Sequence, residues 1–99
     1  MRVKINSVHF KTDKKLDDFI SEKMDKLLSL HDNIIGSEVT LRVDNTDSPA
    51  NKIAEIKLMV PGNDLFARKQ SKSFEEATDT AVEALRRQLT KRKEKMRGE

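Results

Sequence analysis

Residues 37–43, 52–60 and 65–72 alternate apolar and polar side chains, three times in succession. A period of two is the signature of a pleated strand with one face buried. Val39, Leu41 and Val43 fall on one side, as do Ala54, Ile56, Leu58 and Val60, and then Leu65 and Ala67. Glu55, Lys57, Phe66 and Arg68 fall on the other. Val60-Pro61-Gly62-Asn63 suits a type II turn, with proline setting φ at the second position and glycine supplying positive φ at the third. Residues 44–51 form a polar, turn-rich link. Links this short make the three strands an antiparallel meander. Its apolar face must be buried under something else in the chain.

Two helical patterns supply the cover. Leu16, Phe19, Ile20, Met24, Leu27 and Leu30 or His31 recur at three- and four-residue spacing, an amphipathic stripe. Thr12 is placed to cap this helix, with Asp13 in its first turn, and residues 33–36 end it. From Ser73 onward Phe74, Ala77, Ala81, Leu85 and Leu89 form a second stripe, with Val82 on its border. At the start of the chain Val3 and Ile5 alternate with Arg2, Lys4 and Asn6, predicting a first strand. The order is β-α-β-β-β-α, an α+β fold with a four-stranded mixed sheet. The crossover through the first helix makes strands one and two parallel and right-handed. Both helices bury their stripes on one face of the sheet, and the other face is left open and polar.

The chain offers little for catalysis. It has no cysteine, so disulfides, thiolate chemistry and cysteine metal sites are excluded. Its two histidines, His9 and His31, have no neighbouring acids at metal-ligand spacing. Asp44, Asn45 and Asp47 lack the glycine of a calcium loop. The three glycines do not form a phosphate-binding loop. A non-enzymatic protein without metal or cofactor is expected. No apolar run approaches the ~20 residues that span a bilayer, and no leader peptide is evident, so a cytoplasmic protein is expected.

Charge distribution carries the functional signal. The net charge is only +3, but seven cations (Arg86, Arg87, Lys91, Arg92, Lys93, Lys95 and Arg97) fall within twelve residues, against one acid, Glu94. A helix dipole needs only one or two cations at its C-terminus; the surplus points to a polyanion. On a helical wheel Arg86, Lys93 and Arg97 lie to one side of the stripe, and Arg87, Lys91 and Lys95 to the other. The stripe fades after Leu89, so the helix is expected to overhang the sheet. With no Trp or Tyr, and only Phe66 as a candidate exposed aromatic, base stacking is not expected. Phosphate contacts on folded RNA are. A general structured-RNA-binding module, or a domain meeting an acidic protein, fits the same charges.

Leu85-Arg86-Arg87-Gln88-Leu89-Thr90-Lys91, preceded by Ala77-Thr78-Asp79-Thr80-Ala81-Val82-Glu83, resembles the terminal helix of the ribosome hibernation-promoting factors, also called ribosome-associated inhibitors or sigma-54 modulation proteins. The resemblance spans the chain, through Thr12 before the first helix, Lys26-Leu27 and the Val-Pro-Gly turn. It implies a β-α-β-β-β-α domain similar to a double-stranded-RNA-binding domain. It also implies a place on the small ribosomal subunit, in the cleft between head and body that messenger RNA and the tRNA anticodon arms use. There translation stops by steric blocking, anchored on 16S rRNA phosphates, with no chemical step. Residues 1–99 would be one ribosome-binding domain without the second, ribosome-pairing domain of long members. It would be monomeric, either leaving pairing to a separate dimerising factor or simply silencing single ribosomes.

Arg87 and Lys91 match basic positions of the family's last helix, and Lys23 and Lys26 those of its first. Arg68, Arg86 and Lys95 complete the candidate RNA-binding set. The chain departs from the pattern at Ser73-Phe74-Glu75, where Asp-Met-Tyr is frequent, at Ala84 in place of Lys and at Arg86 in place of Glu. The basic cluster is thereby shifted along the helix.

Overall fold

The computed structural model describes residues 3–8, 10–31, 34–45 and 47–97, with side chains described as far as residue 91. The elements are β1 (Val3–Ser7), α1 (Lys14–Ser29), β2 (Gly36–Val43), β3 (Lys52–Met59), β4 (Leu65–Ser71) and α2 (Phe74–Arg97). The sheet runs β1-β2-β3-β4, with β1 parallel to β2 and the other pairs antiparallel. This is the α+β architecture that the alternation predicts.

Register decides what each face carries. Ile5 pairs with Val39, Val39 with Ile56, and Ile56 with Ala67, so one apolar row crosses all four strands. Ile20, Met24, Leu27 and Leu28 of α1 and Ala77, Ala81, Leu85 and Leu89 of α2 close over it in a single core. Gly62, at φ 95°, takes the positive-φ position of the turn between β3 and β4.

Four local expectations need correction. The cap of α1 is Asp13, whose Oδ1 accepts from the Leu16 N–H at 2.8 Å; Thr12 stands one residue too early. The helix ends at Ser29, and the Leu30 and His31 N–H groups reach back only three residues, to Leu27 and Leu28. This tightened last turn takes Leu30 off the stripe, leaving it 54% exposed while Leu28 is buried. Val43, at the far end of β2, lies beyond the helical cover and is half exposed. The open face is not wholly polar: Ile53 is buried there between its cross-strand neighbours Arg42 and Gln70. Bonds from Arg42 to Glu55 and from Gln70 to Asp44 and the Ala50 carbonyl hold those long side chains in place.

The Ser73 hydroxyl caps α2 by accepting from the Glu76 N–H, and Phe74 stacks on Phe10 with centroids 4.9 Å apart. The helix then runs back along β4, and the Gln88 amide donates to the Phe66 carbonyl near the start of that strand. Leu89 is the last buried residue described. Eight further residues follow it, about 12 Å of helix, consistent with a molecule 48 Å in its longest dimension and 25 Å in the next.

Thr78 is fully buried on α2, and its hydroxyl has no hydrogen-bond partner among the described residues. An unsatisfied buried hydroxyl is costly, whereas an apolar isostere is not. Thr78→Val is therefore expected to stabilise the fold by about 1 kcal/mol, read as a higher urea midpoint at unchanged slope. A lower midpoint would show that the hydroxyl is satisfied in solution.

Candidate nucleic-acid interface

The candidate cations divide over three surfaces. On α1, Lys23 reaches across to α2, its Nζ 3.0 Å from Asp79 Oδ1 and 5.7 Å from the Phe19 ring centroid. Lys26 pairs with Glu22 one turn back, at 3.5 Å. On the open face Arg68 shares Glu55 with Arg42, at 3.5 and 2.7 Å. On α2, Arg86 lies 3.7 Å from Glu83. Arg87 and Lys91 are exposed one turn apart on α2, and no acidic partner is recorded for either among the described residues. The Lys95 side chain lies outside the described residues, as do those of Arg92, Lys93 and Arg97.

Pairing matters because a neutralised cation adds little to the local potential, whereas an unpaired one can exchange its counterions for a phosphate. Four of the seven candidates are already matched to an acid. Arg86, Arg87, Thr90 and Lys91 line one open concavity with Glu83, on the last turns of α2 around Leu85 and Leu89. The open face is different. Lys4, Arg42, Lys57 and Arg68 do share it by register, but Glu38 and Glu55 are interleaved with them, and Lys57 pairs with Asp64 at 3.5 Å. That face is a checkerboard with half-exposed Phe66 at its edge. Arg2 lies outside the described residues.

The structure adds one cation that charge counting passed over. Lys69 has the parity of Leu65 and Ala67, so it points to the helix side of β4, opposite Arg68. It lines a notch of about 210 Å³ with Asp79, Thr80, Glu83, Ala84 and Arg87 of α2. The alternation of β4 held this signal, because any residue two beyond Ala67 shares its face.

An outside anion would have to compete with Asp79 for Lys23. Asp79→Asn is expected to tighten binding to a polyanion about threefold, from one added cation, and to cost under about 1 kcal/mol of stability because the pair is substantially exposed. Filter binding to structured RNA at two salt concentrations checks this; weaker binding would mean that Asp79 positions Lys23.

Among the described residues no group of His, Cys, Asp and Glu side chains is placed to hold a metal ion, and no helix is long and apolar enough to cross a membrane. The fold is similar to two solved structures. One is a ribosomal subunit interface protein from Coxiella burnetii (TM-score 0.82, 18% identity, 94% of this chain and 98% of that one). The other is the Thermus thermophilus Protein Y N-terminal domain (TM-score 0.77, 21% identity, 92% and 98%). In sequence the chain is 29% identical over 98 residues to a ribosome hibernation promoting factor of Pseudomonas putida, covering 99% of this chain and 92% of that one. It is 28% identical over 97 residues to one of Klebsiella oxytoca, covering 98% of each. The family model described as sigma 54 modulation protein / S30EA ribosomal protein matches residues 3–97. With this match running through both helices and all four strands, the chain belongs to the sigma 54 modulation protein / S30EA ribosomal protein family.

Proposed function

We propose that this protein is a ribosome hibernation factor that binds the small subunit and inhibits translation by occupying the channel of messenger RNA and tRNA. The observation that carries this reading is the exposed side of α2 where it runs off the sheet: Arg87, just before the last buried residue Leu89, and Lys91, just after it, stand without acidic partners among the described residues. A rod about 10 Å across, projecting from a compact body, suits a cleft walled by RNA. Its cations would neutralise 16S rRNA phosphates and release counterions. Arg86, Lys95 and the α1 residues Lys23 and Lys26 extend the charge around this anchor, whereas Arg68 lies on the opposite face of the sheet. Inhibition needs no bond to be made or broken, since filling the channel is sufficient. The names carried by the Pseudomonas and Klebsiella relatives support the ribosomal assignment. In this reading the domain acts as a cytoplasmic monomer, silencing single ribosomes or working beside a separate pairing factor.

Sedimentation of the protein with ribosomes through gradients at low and moderate salt tests the proposal. Co-migration with the small subunit, weakening steeply with salt, is expected. Absence from the small subunit at low salt would defeat it. Equal affinity for an unrelated RNA duplex would favour a general RNA-binding module.

A further inference from the structure

The notch between β4 and α2 combines cations from two elements. Lys69 comes from the sheet edge and Arg87 from the helix, and both line the same space of about 210 Å³. Two acids also line it, but each is engaged elsewhere: Asp79 with Lys23 at 3.0 Å and Glu83 with Arg86 at 3.7 Å. The Thr80 hydroxyl already donates to the Glu76 carbonyl at 2.8 Å, so it offers no donor. Neither Lys69 nor Arg87 has a recorded hydrogen bond or ion pair among the described residues. The unclaimed donors of the notch are thus one ammonium and one guanidinium. Lys69 is half-buried on a strand, and so is better oriented than a lysine on a loop tip. Lys91 follows Arg87 by one helical turn, about 6 Å of rise, continuing the line toward the free end of the helix.

The geometry points to a backbone phosphate seat: Lys69 and Arg87 hold one phosphate of an RNA strand between β4 and α2, and Lys91 takes a later phosphate of the same strand. This rests on the reading of the partner as structured RNA, and adds the sheet edge to a contact otherwise confined to the helix. The guanidinium can bond two phosphate oxygens while the ammonium supplies a point charge to a third. An acidic protein segment would also meet these cations, but it would have no reason to follow a continuous line from sheet edge to helix end.

The test compares Lys69→Gln with Lys57→Gln in the whole protein. Both remove one lysine charge from the sheet, but Lys57 lies on the opposite face and is paired with Asp64. The probes are purified small subunits and an RNA duplex of about 16 base pairs, each titrated across a range of salt. Lys69→Gln is expected to weaken binding about fivefold and to lower the salt slope by about one unit, with Lys57→Gln within twofold of the unmodified protein. Adding Lys69→Gln to Arg87→Gln should cost less than it does alone, because the two cations serve one phosphate. Equal effects of the two lysine variants, or no effect of Lys69→Gln on small subunits that the protein does bind, would overturn the seat and leave the ribosomal reading intact. Loss at Lys69 on the duplex, in a protein that ignores small subunits, would support the seat and sink the ribosomal reading. Binding to neither probe would overturn both.

Discussion

Reversing Arg87 and Lys91 together to glutamate is expected to abolish co-sedimentation with the small subunit at salt where the unmodified protein binds, and to restore translation in its presence. Each residue is exposed, one turn from the other, and without an acidic partner among the described residues. Each can therefore make a phosphate contact without first giving up an internal one. A hydrogen bond to a charged group contributes about 1.5–3 kcal/mol, so losing two weakens binding on the order of a hundredfold or more before new repulsion is counted. The salt slope should fall by about two units, one for each phosphate released. Stability should fall by no more than about 1 kcal/mol, from the new like charges four residues apart along Glu83 and positions 87 and 91, since neither native side chain is buried, or bonded among the described residues. Retained binding in a folded variant would show that α2 is not the anchor. The same reversal at Arg86 should have a smaller effect, because that cation is already matched by Glu83 at 3.7 Å.

The contrast between Arg86 and Arg87 marks what the amino-acid order alone can reveal. Adjacent arginines in a basic run look equivalent. Helical periodicity lets either one meet Glu83, since Arg86 lies three and Arg87 four residues beyond it. In the structure Glu83 pairs with Arg86, whereas Arg87 turns toward the sheet edge, which requires knowing which way α2 lies on β4. The Gln88–Phe66 bond supplies that direction. The Lys23–Asp79 bridge is similar, since 56 residues separate two groups that only the packing of α1 on α2 brings within 3.0 Å.

The fold itself was more legible, because its periodicities are strong and mutually consistent. Val39, Leu41, Ala54, Ile56 and Leu58 alternate cleanly, and all are fully buried. Errors fall where one local signal competes with another. Thr12 and Asp13 are both good capping residues, and only backbone geometry chooses between them: Asp13 is extended, at φ −93° and ψ 168°, with the first helical turn beginning after it. Leu28 and Leu30 are both apolar near a helix end, and the tightened last turn decides which one enters the core. Ile53 breaks the alternation because its neighbours are long enough to cover it from the solvent side.

Leu85→Ala is expected to produce the largest loss of stability, about 3 kcal/mol within a range of 2–5 kcal/mol for truncating a buried leucine. Leu85 is fully buried in the middle of the α2 stripe, between Ala81 and Leu89, where small neighbours leave it much of the helix's contact with the sheet. Collapse around the lost atoms is restricted, because Ala54, Ile56 and Ala67 beneath belong to paired strands that cannot move singly. A domain of this size has roughly 5–15 kcal/mol in total, so the variant should remain folded with a urea midpoint lower by about 2 M. Below that midpoint its affinity for the small subunit should stay within twofold of the unmodified protein, because Leu85 presents nothing to a partner. Arg87, two residues on, should show the reverse pattern of binding lost and stability kept. A loss below about 1 kcal/mol at Leu85 would mean that the core does not clamp α2. An intact fold with binding lost would mean instead that the cations depend on the finest details of helix docking.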